Sequence, residues 1–471
     1  MIDYKIYCAG KFISSSKKLE VTNKYSQAVY AKTYLANKEI LEQAITAAND
    51  IKEASKKLSS HEKFTALKFI AEEIEKNKNH LAEVLCIESA KPIRYAIAEI
   101  ERAAQTFLIA AEECKRIPKE YMSLDWTPNG KSKEGIVNYF PIGLVAGISP
   151  FNFPLNLAVH KIAPAIAAGC PIILKPASST PLSTLELAKI IDKTNLPKGM
   201  VSILPMDRVT GNLLVTDERF NLLSFTGSPA VGWPMKAQCG KKKIVLELGG
   251  NAGVIISESA NLNDILNKCV GGAFAYSGQI CIHAQRFFVH PKHYDVFLSL
   301  LKTESEKLII GDPLKAETQL SSMIDEANAI RVEAWVNEAI EQGAKLVTGG
   351  KRNGVFYEAT ILTNTSSAMK VNSEEVFGPV ICVEKYDDTI KDAVKKINDS
   401  KFGLQCGVFT DSVSELDYCF NSIEVGGVIH NDVPTIRFDQ MPYGGIKESG
   451  LGREGVKYAI MDMLEPKILV K

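Results

Sequence analysis

The stretch LVAGISPFNFPLNLAVHKIAPAIAAGCPIIL, residues 144–174, decides how the rest of the chain is read. Leu144 to Ile148 is a short apolar run of strand length, Leu155 to Ala168 reads as a largely apolar helix, and Ile172-Ile173-Leu174 reads as a second strand. Neither strand alternates apolar with polar residues, as expected where helices cover both faces of a parallel sheet. The rhythm continues with a helix over Thr184 to Thr194 and strands at Val201 to Leu204 and Leu222 to Phe225. It predicts an α/β fold whose ligands sit at the carboxyl ends of the strands. Pro141, Pro150, Pro154, Pro164 and Pro171, with His160 and Lys161, rule out a membrane helix here.

Upstream, apolar positions recur at helical spacing from Asn37 to about Ile117, and Ser59-Ser60-His61-Glu62 offers a capping box. Between Pro118 and Lys133 the pattern fades into a polar stretch with the turn signal Pro128-Asn129-Gly130, which suits a loop or projecting hairpin. Downstream of Glu247 a second alternation begins, with strands at Phe287 to Val289 and Val380 to Glu384 and helices over Ala327 to Gln342 and Thr389 to Ser400. This is read as a second α/β domain. A chain of 471 residues has room for two or three domains.

The 55 basic residues balance 55 acidic ones, so no overall basic surplus exists to bind nucleic acid or a membrane surface, and a small molecule is the expected partner. Ten cysteines without a CxxC pair, behind an N-terminus without a signal-peptide pattern, point to reduced thiols and a cytoplasmic location.

Four segments could carry chemistry. Phe225-Thr226-Gly227-Ser228 ends a strand in a glycine turn before a helix, whose first amides can hold a phosphate, although the spacing is not GxGxxG. Glu247, in Leu246-Glu247-Leu248-Gly249-Gly250, is a carboxylate in an apolar strand; burial would make it a base usable near neutrality, and a structural ion pair is the alternative. Cys281, in Gly278-Gln279-Ile280-Cys281, lies in a loop whose backbone amides could stabilise a thiolate, whereas most cysteines are small buried hydrophobes. The run Met441 to Gly455 is rich in glycine and suits an active-site wall or a subunit contact. His283 lies too near Cys281 in sequence to form a protease pair, and His290 with His293 lacks further ligands for a metal.

Taken in order with Ser149-Pro150-Phe151-Asn152-Phe153-Pro154, Leu174-Lys175-Pro176-Ala177, Glu375-Val376-Phe377-Gly378-Pro379 and Tyr443-Gly444-Gly445-Ile446-Lys447-Glu448-Ser449-Gly450, these segments resemble the aldehyde dehydrogenase superfamily along nearly the whole chain. The segment from Val428 to Pro434, running on to Arg437 and Met441, resembles the branch acting on lactaldehyde and glyceraldehyde 3-phosphate.

The resemblance implies two Rossmann-like parallel-sheet domains and a small β extension. Residues 1–117, 134–246 and 441–455 would bind NAD(P), residues 247–440 would be catalytic, and 118–133 with 456–471 would form an oligomerisation hairpin and strand of a homodimer or homotetramer. It implies Cys281 as nucleophile, Glu247 as general base and Asn152 as oxyanion donor, without a metal. Around the cofactor it places Ser149, Pro150, Phe151, Lys175, Ser178, Gly211, Gly227, Ser228, Val231, Leu248, Gly249, Glu375 and Phe377. Ser178 stands where many NAD-using members carry a Glu; the missing carboxylate removes repulsion toward a 2′-phosphate, so NADP is expected to be accepted alongside or in preference to NAD. Arg102, Phe153 and Arg437 are the substrate candidates for a short 2-hydroxy or anionic aldehyde, with the two arginines alternatively serving in structural salt bridges. Ile280 tilts the choice toward an uncharged one. Glu247 favours the carboxylate product over transfer to coenzyme A, and an inactive binding protein is a further alternative.

Overall fold

The computed structural model describes residues 1–471. The quoted stretch forms strand Val145–Ile148, helix Asn156–Ala168 and strand Ile172–Lys175, paired in parallel. Every residue of that helix is buried, which is why its sequence lacks an outward polar stripe, and Gly169 closes it with a left-handed φ of 82°. Strands Val201–Ile203, Leu222–Thr226 and Lys243–Glu247 complete a parallel core. Numbered along the chain, the five strands stand in the order 3-2-1-4-5. The order reverses between Val145–Ile148 and Leu222–Thr226, and a crevice opens at their carboxyl ends, where the segments from Ser149 and from Gly227 emerge.

Two apolar cores sandwich this sheet. One packs helices Ser60–Lys76, Lys78–Ser89 and Ile93–Glu113 with Asn156–Ala168, and the other includes helix Lys38–Asp50. The capping box at Ser59 and Glu62 is present, and helix Leu182–Ile191 sits two to three residues before the Thr184 to Thr194 bounds. The segment before Asn37, which periodicity does not resolve, adds strands Ile6–Cys8 and Lys11–Ile13 to one edge in antiparallel pairing. The other edge carries Gly450–Leu451, antiparallel to Lys243–Glu247, so the glycine run lies directly beside Glu247.

A second sheet of seven strands, parallel except at the Lys345–Thr348 edge, contains Gly253–Ile256, Arg286–Val289 and Val380–Lys385. Helices Glu326–Glu341 and Ile390–Asn398 fall within two residues of the expected bounds. The hairpin expected over 118–133 is longer. Its arms are Lys119–Ser123 and Glu134–Pro141, and the second arm also pairs with Leu464–Val470. Likewise the 456–471 segment is not all strand: Val456–Asp462 is a helix packed on Asn156–Ala168. In both places a buried apolar face sits outside the bound that turn residues suggested.

Candidate active site

Asn152, Glu247 and Cys281 arrive from three different elements and line one cavity of about 600 Å³. Asn152 follows strand Val145–Ile148, Glu247 ends strand Lys243–Glu247, and Cys281 sits in the loop before Arg286–Val289. That loop is tightly specified. Tyr276 and Ser277 adopt left-handed φ values of 50° and 53°, and Gly278 follows at 68°, where a Cβ would lie 2.0 Å from the Gly378 carbonyl oxygen. The turn after Glu247 abuts it, since a Cβ on Gly250 would lie 2.7 Å from the Cys281 carbonyl oxygen.

Glu247 is buried, and neither carboxylate oxygen has a hydrogen-bond partner. Burial raises its carboxyl well above the usual range, and the neighbouring Glu454 raises it further against the opposing pull of Arg437 and Lys161. Glu454 goes the other way: burial pushes it up, but Lys161 at 3.0 Å and Arg437 at 2.9 Å outweigh burial and keep it ionised. Two adjacent carboxyls thus hold opposite preferences, one ready to take a proton and one committed to its charge. The Asn152 amide donates to the Gln279 carbonyl at 3.1 Å, tying it to the cysteine loop.

Cys281 differs from the expectation of a thiolate cradled by amides. Burial pushes its thiol up to about 11, and the group opposing that rise most strongly is the Tyr443 hydroxyl, 3.1 Å from Sγ. The nine other cysteines are all buried, and Cys281 alone is partly open.

The cavity extends from these three residues past Pro150, Phe151, Gly227, Ser228, Leu248, Gly249, Glu375 and Phe377. Ser228 makes no side-chain capping bond to helix Pro229–Gln238; its carbonyl accepts from the Val231 and Gly232 amides, which leaves its hydroxyl and the Ala230 amide for a diphosphate. Glu375 accepts from the Gly250 amide at 3.1 Å, and burial raises its carboxyl to about 7. Lys175 enters no hydrogen bond or ion pair among the side-chain contacts and packs along Gly211, where a Cβ would come within 2.9 Å of its Cε. Ser149 is buried with its hydroxyl unpartnered, Ser178 reaches the Met206 carbonyl at 3.4 Å, and Val231 is exposed on the helix flank. A free ammonium, an uncapped helix start and a glycine-lined slot fit a nicotinamide dinucleotide.

Sequence reasoning missed Asn328, Arg331 and Trp335, which close the cavity from helix Glu326–Glu341. Arg331 lies 4.8 Å over the Trp335 ring and donates to the Val376 carbonyl at 2.9 Å. No local motif marks them; their helix meets the crevice only through the second sheet.

The substrate candidates separate. Phe153 packs against the cluster around Tyr276, Ile280 and Tyr443, with the Lys91 ammonium 3.5 Å from its ring. Arg102 is bound to Asp439 through two hydrogen bonds of 2.6 and 3.4 Å. Arg437 is buried, paired with Glu454 and stacked 3.8 Å over the Tyr443 ring. His160 and Lys161 belong to the same charge network through Asp439 and Glu454.

The fold and much of the sequence recur in known proteins. The 3-sulfolactaldehyde dehydrogenase of Priestia megaterium is 41% identical over 468 residues, 99% of this chain and 98% of that protein. Aldehyde dehydrogenase 21 of Physcomitrella patens, solved with its reaction product succinate, superposes with a TM-score of 0.98 at 44% identity over 100% of this chain and 98% of that one. The glyceraldehyde-3-phosphate dehydrogenase GapN of Methanocaldococcus jannaschii, solved with NADP, gives 0.92 at 36% identity over 96% and 98%. These fit the branch that the Val428 to Met441 segment resembles. The model of the aldehyde dehydrogenase family matches residues 12–469, and the chain belongs to that family.

Proposed function

We propose that this NAD(P)-dependent aldehyde dehydrogenase oxidises a short 2-hydroxy or anionic aldehyde to its carboxylate, with Cys281 as nucleophile, Glu247 as base and Asn152 as oxyanion donor. The observation that carries the reading is that one cavity is lined by Cys281, Glu247 and Asn152 together with Ser228, Glu375 and Phe377. The bound dinucleotide supplies a hydride acceptor. Cys281 Sγ adds to the aldehyde carbon, and the Asn152 amide with the Cys281 backbone N–H holds the oxygen that becomes negative. Once hydride has left, the acyl group remains on Sγ as a thioester. Glu247, whose lone pairs meet no partner, takes a proton from the water that attacks it. A base in this position supports release to water over transfer to coenzyme A.

Behind the site Arg102, Arg437 and Lys161 face the three carboxyls Asp439, Glu454 and Glu247, so this network holds no spare cation for a substrate anion. Support for a short 2-hydroxy or anionic aldehyde comes from the names of relatives: 3-sulfolactaldehyde, glyceraldehyde 3-phosphate and the succinate product carry an anionic group, and lactaldehyde is an uncharged 2-hydroxy aldehyde. Acceptance of NADP is supported by Ser178 and the unpaired Lys175, with Asp207 the opposing charge nearby. A homo-oligomer is supported by the apolar side chains Tyr121, Ile468, Leu469 and Val470, exposed on the three-stranded sheet. No helix is long and apolar enough to cross a membrane.

The test is a panel of short aldehydes, with and without a 2-hydroxyl or a terminal anion, run with both cofactors and followed at 340 nm as an order-of-magnitude comparison of kcat/KM. Anionic 2-hydroxy aldehydes should lead by roughly tenfold or more; equal rates for propanal would remove the anionic assignment.

A further inference from the structure

Six of the other cysteines place their sulfur against a backbone carbonyl: Ile40 for Cys8, Ala111 for Cys114, Met463 for Cys170, Lys236 for Cys239, Val371 for Cys382 and Gly407 for Cys406. A carbonyl can only accept, so each of those contacts favours the neutral thiol. Cys281 instead faces a hydroxyl within the cavity, the Tyr443 Oη at 3.1 Å. A hydroxyl accepts from a thiol and donates to a thiolate, so this contact survives ionisation and strengthens with it.

The placement of Tyr443 is fixed from three sides. Its ring packs with Tyr276, Ile280 and Leu404, the Glu454 amide donates to its carbonyl, and the Arg437 guanidinium lies 3.8 Å over its face. A cation on the ring draws electron density from the phenol and makes its O–H a better donor. We propose that Tyr443 is a catalytic residue whose hydroxyl donates a hydrogen bond to the Cys281 thiolate, with Arg437 acting as a positioning residue behind the ring. The proposal rests on the reading of Cys281 as nucleophile and gives Arg437 a task other than gripping substrate.

The charged and titratable groups facing Cys281 are Tyr443, Glu375, Arg437 and Glu247. Glu375 and Glu247 raise the thiol along with burial, and Tyr443 and Arg437 oppose them. Tyr443 itself is held well above the ordinary tyrosine range by burial and by the neighbouring sulfur, so its proton remains available for donation wherever the thiol ionises. After addition to the aldehyde the sulfur belongs to a neutral C–S–C linkage of the thiohemiacetal, a weak acceptor, and the hydrogen bond no longer has a thiolate charge to stabilise.

The test is the pH dependence of Cys281 alkylation by iodoacetamide in the full-length protein without cofactor, read by peptide mass spectrometry. In Tyr443→Phe, which keeps the ring and the Arg437 stack, the profile should move up by about one pH unit, an approximately tenfold slower alkylation at fixed pH on the rising limb. The pre-steady-state burst of reduced cofactor should slow by a similar factor, with KM for NADP unchanged. Replacing Tyr443 by 3-fluorotyrosine, a stronger donor of nearly the same shape, should move the profile down. Coincident profiles for all three proteins overturn the proposal. Cys281→Ser tests the underlying reading separately: turnover retained by that variant would remove the nucleophile itself, whatever Tyr443 does.

Discussion

At the residue scale the site depends on one carboxyl that is costly to ionise. The folded-state pKa of Glu247 lies above its unfolded value because burial and Glu454 both disfavour its charge. Its contribution to stability is therefore complete below the unfolded carboxyl pKa and is lost as pH rises through the folded one. Glu247→Gln removes that penalty. Its thermal midpoint should exceed the parent's by a margin that widens with pH, reaching about 1–2 kcal/mol in stability at alkaline pH, while turnover falls by roughly a thousandfold. A margin that does not change with pH would show that the carboxyl is not carrying the cost. For the cofactor, Ser178→Glu should raise KM for NADP by about tenfold or more and leave NAD nearly untouched, read from initial rates with each. Cys281, Glu247 and Asn152 were singled out by the order of several motifs along the chain, none of which was decisive alone. The rise of the Cys281 thiol to about 11 and its pairing with Tyr443 were not legible. They depend on a contact between residues 162 apart, which no local pattern encodes.

At the scale of elements, the nucleophile loop and the Asn152 turn are each held by a specific device. Gly278 combines a left-handed φ of 68° with the close Gly378 carbonyl, so Gly278→Ala should cost roughly 1–3 kcal/mol and reduce kcat/KM by about a hundredfold by displacing Cys281. Urea melts and initial rates check both parts; a variant with parental rates would mean the loop tolerates the extra carbon. The Asn152 turn is anchored by Glu99, which accepts from the Leu155 and Asn156 amides at 3.1 Å and pairs with the buried Lys91. Glu99→Ala leaves that ammonium alone in the core and should cost about 3–5 kcal/mol by denaturant titration. Long helices and buried strands were readable from their periodicity. The two- and three-residue strands were not: Ile6–Cys8 and Gly450–Leu451 become strands only because a sheet edge is there to pair with.

At the scale of the whole molecule, the chain passes from one parallel sheet to the other immediately after Glu247, so Glu247 belongs to the first and the Cys281 loop to the second. That division explains why the ordered set of motifs, spread from Asn152 to Tyr443, identified the family better than any single one. It also explains what stayed hidden, since Arg331 and Trp335 reach the cavity only across the gap between sheets. On the outer sheet, Leu469→Lys places a charge in the exposed apolar strip and should shift the mass seen by light scattering toward the monomer; an unchanged mass would move the subunit contact elsewhere. The most direct test of the account is the intact mass of Glu247→Gln after incubation with NADP and a short 2-hydroxy aldehyde. The account predicts about one equivalent of reduced cofactor and one acyl group retained on the Cys281 peptide. Continued turnover without an adduct, or an acyl group on any other residue, would contradict it.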